Sequence, residues 1–249
     1  MGAVALLVTI AQPGCSPRPA PEAADPIPRL RAVSVEEREK YAGNAACATC
    51  HPQEAKDHTG SYHDRALTRV DVAGHGEFFQ IPTSVTDRVR DLKYTTGVVD
   101  GVCTQWVSSN GRISGIAATF GFGAGKHGIT YMGYRENRLI ELRLSYYPEA
   151  RKWLFSPGQQ ERGISGGVLY PEGLAKTPDV IEECFVCHSA GLIKTENGIN
   201  TDRLILGVGC ETCHGPGKEH IEAVKSGSND LKMTDLAKYR DRLTIELCG

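Results

Sequence analysis

Two hydrophobic rhythms run along the chain. In LIELRLSYY, residues 139–147, Ile140, Leu142, Leu144 and Tyr146 alternate with Glu141, Arg143 and Ser145. That is a period of two, and it predicts a strand with one buried face. GITYMGY and the polar RENR before it predict the other arm and the turn of a hairpin. In SSNGRIS the dipeptide Asn110-Gly111 accepts the positive φ angles of a tight turn and joins two further candidate strands. The second rhythm is helical: VEEREKY opens a short helix at Val35, and EHIEAVKSG and MTDLAKYRDRLTIELC read as helices nearer the C-terminus. The expected fold class is α+β, a mixed domain of short helices with an antiparallel sheet inserted between His51 and Cys184.

The N-terminal run MGAVALLVTIAQPGC is apolar but too short to span a bilayer, and it ends in small residues, so residues 1–15 read as a secretion signal. Cys15, after Pro13-Gly14, resembles the acylated cysteine of a bacterial lipoprotein, although Gln12 stands where an aliphatic residue is usual. A lipid on Cys15 and a plain cleaved signal are both open, and either makes the protein extracytoplasmic, periplasmic in a bacterium. Residues 16–34, with SPRPAPEAADPI, are proline-rich and lack apolar periodicity, which reads as an extended tether. The folded domain is expected over 35–249.

Composition changes the picture in two ways. A net charge of -2 with no basic tract gives no case for nucleic acid or an anionic membrane surface. The hydrophobic share is 40%, aromatics are only 7%, and there are 28 glycines, a thin inventory for a side-chain core of this length. A covalently bound apolar group would supply the missing volume, and glycine would let backbone approach it closely.

The cysteines say where such groups attach. Cys47-Ala-Thr-Cys50-His51, Cys184-Phe-Val-Cys187-His188 and Cys210-Glu-Thr-Cys213-His214 repeat one pattern. A Cys-x-x-Cys pair alone could be a redox dithiol, half a zinc site or part of a disulfide framework. The following histidine narrows the choice. On one helical turn the two cysteines and the histidine fall at i, i+3 and i+4, so two thioethers fix the haem edge and the imidazole reaches its iron. Zinc would need the motifs to converge in pairs, which their uneven spacing does not favour. Six of the nine cysteines are thereby used, leaving Cys15, Cys103 and Cys248. Cys248, one residue from the end, would begin a fourth motif in a C-terminally truncated protein. The cofactor expectation is therefore three haems c with their iron, and a fourth if that motif is completed. Cys103, in strand-like DGVCTQW, is expected to be a small buried residue.

A second axial ligand on each iron separates an electron carrier from an enzyme. Five histidines remain, His58, His63, His75, His127 and His220. His220, just past the Gly-Pro-Gly turn, could be presented to a neighbouring haem. His127 lies among glycines that would admit a porphyrin, and His63 is far enough from the first motif to fold back over a haem. His58 and His75 are expected at the surface, Met132 and Met233 in packing.

NAACATCHPQEAKDHTGSYHDRAL, WLFSPGQ and GVGCETCHGPGKEHIEA together resemble the multihaem c-type cytochromes related to the tetrahaem electron acceptor of hydroxylamine oxidoreductase. They also resemble bacterial proteins in which such a haem domain precedes tetratricopeptide repeats. The resemblance spans most of residues 40–249 and implies that His63 and His220 are distal ligands. The expected function is electron transfer between extracytoplasmic redox partner proteins. The alternatives are a haem oxidoreductase acting on a small nitrogen compound or peroxide at one open iron, with Tyr146, Arg151 or His75 nearby, and a redox-reporting module fused to a partner.

Overall fold

The computed structural model describes residues 30–159, 167–196 and 198–239. The signal, the tether up to residue 29, Cys15 and Cys248 lie outside the described residues. A helix α1 (Val35–Arg38) starts at Ser34, whose hydroxyl accepts from the Glu37 N–H while the Glu37 carboxylate accepts from the Ser34 N–H. This reciprocal cap satisfies two otherwise orphaned donors. Short helices α2 (Asn44–Ala48) and α3 (Pro52–His58) follow, the latter beginning on Pro52, whose missing N–H costs nothing in a first turn.

The chain then passes through β1 (Leu67–Arg69) and α4 (Val72–Phe79) into a meander. Its strands are β2 (Val85–Asp87), β3 (Leu92–Val99), β4 (Val102–Ser109), β5 (Arg112–Phe122), β6 (Ile129–Arg135), β7 (Arg138–Tyr147) and β8 (Lys152–Phe155). After them, β9 (Gly167–Leu169) and β10 (Gly173–Lys176) return to the sheet. Ten strands form one antiparallel sheet, β2 through β7 in chain order, then β10 and β9, with β8 also on β7 and β1 on β5. At the β4–β5 turn Ser109 pairs with Arg112, and Asn110 and Gly111 take φ of 48° and 76°. Two consecutive positive φ angles match the twist of the flanking strands, which is why this dipeptide was legible.

Strand β7 departs from its sequence reading. Both faces are buried from Ile140 to Tyr146. Ile140, Leu142, Leu144 and Tyr146 join a core with Phe79, Tyr94, Tyr131 and Trp153. On the other face the Arg143 guanidinium donates to Asp87 at 2.7 Å, with both side chains fully buried, and packs over the rings of Phe155 and Tyr94. Ser145 shares a hydrogen bond with Ser156, and Glu141 accepts from Gln159 at 2.7 Å and pairs with Lys176. The WLFSPGQ stretch is thus a polar plug: Ser156 and Gln159 close over the face that alternation alone assigns to solvent. Polar side chains tolerate that burial because each makes at least one hydrogen bond or ion pair, although Arg143 Nε and Nη1 and Gln159 Oε1 find none among the described residues.

Helix α5 (Pro178–His188) packs on the sheet through Phe185, edge-on to Phe120 and Phe122 at 5.1 and 5.0 Å, in a second core with Leu67, Met132, Ile181 and Leu192. The chain then forms β11 (Ser189–Ala190), β12 (Ile193–Thr195), β13 (Gly198–Asn200) and β14 (Ile205–Leu206), two small ladders that carry it back to α6 (Cys210–His214) and α7 (Lys218–Ser226). Among the described residues no helix is long and apolar enough to cross a membrane.

His75 is buried rather than at the surface. Its Nε2 lies 2.9 Å from the Thr68 hydroxyl and its Nδ1 3.2 Å from the Tyr131 hydroxyl. Burial lowers its pKa against a smaller opposing pull from Asp71. A histidine with a depressed folded pKa stabilises above its unfolded value and loses that contribution as pH falls. Acidification below about pH 6.5 should therefore lower the melting temperature of the protein more steeply than that of His75→Gln. Parallel slopes in melts between pH 5 and 8 would remove His75 as the cause.

Candidate haem-binding site

Each of the three motifs forms a helical turn. The third is helix α6 in full, and the second is the last turn of α5. In the first, α2 ends at Ala48, but the His51 N–H still bonds to the Cys47 carbonyl at 2.9 Å, so the i to i+4 relation survives. All six cysteines are half-buried or exposed, accessible to a large flat reactant.

The first and third motifs are built against each other. Glu211, which occupies a spacer position of the third motif, is almost fully buried. Its carboxylate accepts from the N–H groups of Ala42, Gly43 and Gly217, each at 2.7 Å. One side chain thereby ties the entry to α2, the third motif and the Gly-Pro-Gly turn together. The Asn44 side chain accepts from the Cys210 N–H at 3.1 Å. Burial, and next the neighbouring Cys210, push the Cys47 thiol up to about 11, so the first cysteines of the two motifs are neighbours.

The histidines divide by the use of their ring nitrogens. A backbone carbonyl only accepts, so a nitrogen hydrogen-bonded to one carries the proton, and the other nitrogen offers a lone pair. His188 Nδ1 donates to the Ala66 carbonyl at 2.9 Å, His214 Nδ1 to Thr234 at 3.3 Å, and His220 Nδ1 to Leu231 at 2.8 Å. This is the pattern of metal-ligating imidazoles, with Nε2 left for the metal. His58 has the opposite arrangement, Nε2 donating to the Val208 carbonyl at 2.8 Å. His58 is half-buried and its place is structural.

The His51 and His220 rings face each other at a centroid separation of 6.4 Å and 26° between planes. Two metal–imidazole bonds of about 2 Å, plus roughly 1.1 Å from each nitrogen to its ring centre, give about 6.3 Å across one metal ion. The centroid separation alone is compatible with two imidazoles on opposite sides of one metal ion, an arrangement that also requires both Nε2 atoms to point at it.

The other two proposed distal ligands sit elsewhere. His63 is exposed, and its carbonyl accepts from Val208, two residues before Cys210. The adjoining Gly207 has φ of 76°, and a Cβ there would meet the Asp64 carbonyl at 2.3 Å, so only glycine lets the two segments touch. His127 is 79% exposed on the β5–β6 loop, 3.6 Å from Glu149. That loop borders the His63 segment, with Lys126 over the Tyr62 ring, but His127 itself is engaged with Glu149 rather than with a motif. Cys103 is buried in the sheet core, and Met132 packs in the core beneath α5.

Residues 170–215, which contain the second and third motifs, match the family described as Cytochrome c554 and c-prime. That match supports a c-type cytochrome. A c-type cytochrome implies covalently bound haem c with its iron, and electron transfer. No curated protein matches the chain. A solved structure, the outer cell wall cytochrome OcwA, aligns with 80% of the chain at 17% identity and a TM-score of 0.44; the aligned part is 36% of that longer protein.

Nothing in the linear sequence flags the groups that hold these motifs and histidines in place. Glu211 looks like a spacer residue, and the carbonyls of Ala66, Leu231 and Thr234 have no side-chain signature.

Proposed function

We propose that the protein is an extracytoplasmic electron carrier with three haems c, attached at Cys47 and Cys50, at Cys184 and Cys187, and at Cys210 and Cys213, each capped by two histidines. The observation that carries this reading is the facing pair His51 and His220 at 6.4 Å. Bound there, haem supplies a one-electron iron couple. The chain supplies the rest. His51, His188 and His214 would hold the irons from within the motifs, His220 would share an iron with His51, and His63 and His127 would be the donors left for the other two. Two histidines on an iron leave no position for substrate, so such a centre passes electrons and does not turn over a small molecule.

His75 supports the carrier reading against an open catalytic centre, because both of its nitrogens are held inside the sheet by Thr68 and Tyr131. Tyr146 is buried and stacked on Phe78 at 4.7 Å, so it lines no open pocket. Exchange of electrons with protein partners completes the proposal, together with export by the N-terminal segment, with or without a lipid on Cys15. The resemblance to acceptors of hydroxylamine oxidoreductase makes an oxidising enzyme of small nitrogen compounds the first donor to try.

Electron paramagnetic resonance with spin quantitation on the oxidised, haem-loaded protein tests this. The expected result is low-spin signals accounting for all the iron. A stoichiometric high-spin signal that changes with nitrite or hydroxylamine would overturn it in favour of an enzyme.

A further inference from the structure

We propose that the loop over residues 227–235, immediately after α7, is a positioning strap that orients axial ligands of two different haems at once. The inference rests on the assignment of His51 and His220 to one iron. Leu231 and Thr234 lie three residues apart on this loop. The Leu231 carbonyl accepts from His220 Nδ1, and the Thr234 carbonyl accepts from His214 Nδ1. Thr234 also returns its N–H to the His214 carbonyl at 3.2 Å, which pins the loop to the third motif. His220 caps the haem of the first motif and His214 is proximal on that of the third, so one short segment touches both.

The loop is held in a shape that aims these carbonyls. Gly227 ends α7 with φ of 71°, and the Ser228 N–H bonds back to the Ala223 carbonyl. The Ser228 hydroxyl accepts from the Asp230 N–H, and Asp230 Oδ1 accepts from the Lys232 N–H at 3.1 Å. The last bond is the important one. The Lys232 N–H and the Leu231 carbonyl belong to one planar peptide unit, so the carboxylate that fixes the N–H also fixes the direction of the C=O. Lys232 keeps this peptide in place with φ of 53°, and its ammonium pairs with the second oxygen of Asp230 at 2.6 Å. Asp230 is thus a positioning residue for His220 at one remove.

Accepting the Nδ1 proton makes an imidazole a stronger donor through Nε2, which favours the more positive iron. Releasing the carbonyl therefore raises the reduction potential of the haem concerned. The experiment is a spectroelectrochemical titration with paramagnetic resonance on haem-loaded variants. Asp230 is exposed, so its replacement leaves the cores intact.

Asp230→Ala is expected to raise the potential of the first-motif haem and alter its low-spin signal. Asp230→Asn retains an oxygen acceptor for the Lys232 N–H and is expected to behave like the parent. Lys232→Pro removes that N–H and cannot adopt a positive φ. It should shift the first- and third-motif haems together and leave the second, whose His188 is held by Ala66, unchanged. The strap is overturned if Asp230→Ala is silent, if Asn shifts the potential as far as Ala, or if all three haems move alike.

His220→Ala in the same series separates the two readings. If every iron stays low-spin, the ligand assignment falls and the strap with it. If one iron turns high-spin while Asp230→Ala is silent, the strap alone fails.

Discussion

His220→Ala should convert one of the three haems, about a third of the iron, from low-spin to high-spin, and the converted haem should be the one on Cys47 and Cys50. The expectation follows from geometry. His220 faces His51 at the separation two imidazoles take across one metal, and its Nδ1 is committed to the Leu231 carbonyl. Alanine leaves a gap on that side which no other described histidine occupies. His58 has its Nε2 on Val208, and His75 is locked inside the sheet. The opened iron should then bind small ligands such as cyanide or imidazole that the parent excludes, and added imidazole should restore the low-spin spectrum. Substituting His127 in parallel measures its own contribution. A high-spin iron from His127→Ala beside a silent His220→Ala would reverse their roles.

The largest effect on stability is expected at Asp87. Its carboxylate accepts from Arg143 at 2.7 Å and from Arg90 at 2.8 Å, and its other oxygen accepts from the N–H groups of Val89 and Arg90. Burial alone would raise its pKa, but hydrogen bonds and charge from Arg90, with Arg143 behind them, hold it below the usual carboxylate value. Asp87→Ala leaves the fully buried Arg143 without its counter-ion, a loss of about 3–5 kcal/mol. Arg143→Met should cost much less. Asp87 keeps Arg90 and two backbone donors, and methionine fills the space between Tyr94 and Phe155. In addition, Arg143 Nε and Nη1 have no hydrogen-bond partner among the described residues, so the substitution discards little. Urea unfolding followed by circular dichroism measures both, and equal losses would contradict the asymmetry.

The parts legible in sequence were those decided within a few residues. Asn110-Gly111 marked its hairpin because both residues tolerate positive φ, and the β6–β7 pair announced itself by alternation. Each Cys-x-x-Cys-His is a single helical turn, so chemistry and local structure coincide there. The thin apolar inventory averages over the chain and does not say where the apolar residues gather. The sheet concentrates them in one core built on Phe79, Tyr131, Leu144 and Trp153. Similarly, the alternation in β7 named its two faces but not what would cover the polar one.

By itself, then, the sequence determined the three Cys-x-x-Cys-His patterns and most of the helix and strand types, because these depend on neighbours one to four residues apart. Only the tertiary structure decided that Glu211 joins the first motif to the third, that His220 faces His51 from 169 residues away in sequence, and that carbonyls of Ala66, Leu231 and Thr234 orient the imidazoles. Those are long-range pairings between a side chain and a backbone group that every residue possesses. A backbone carbonyl carries no residue identity, so its role is set by where the fold puts it.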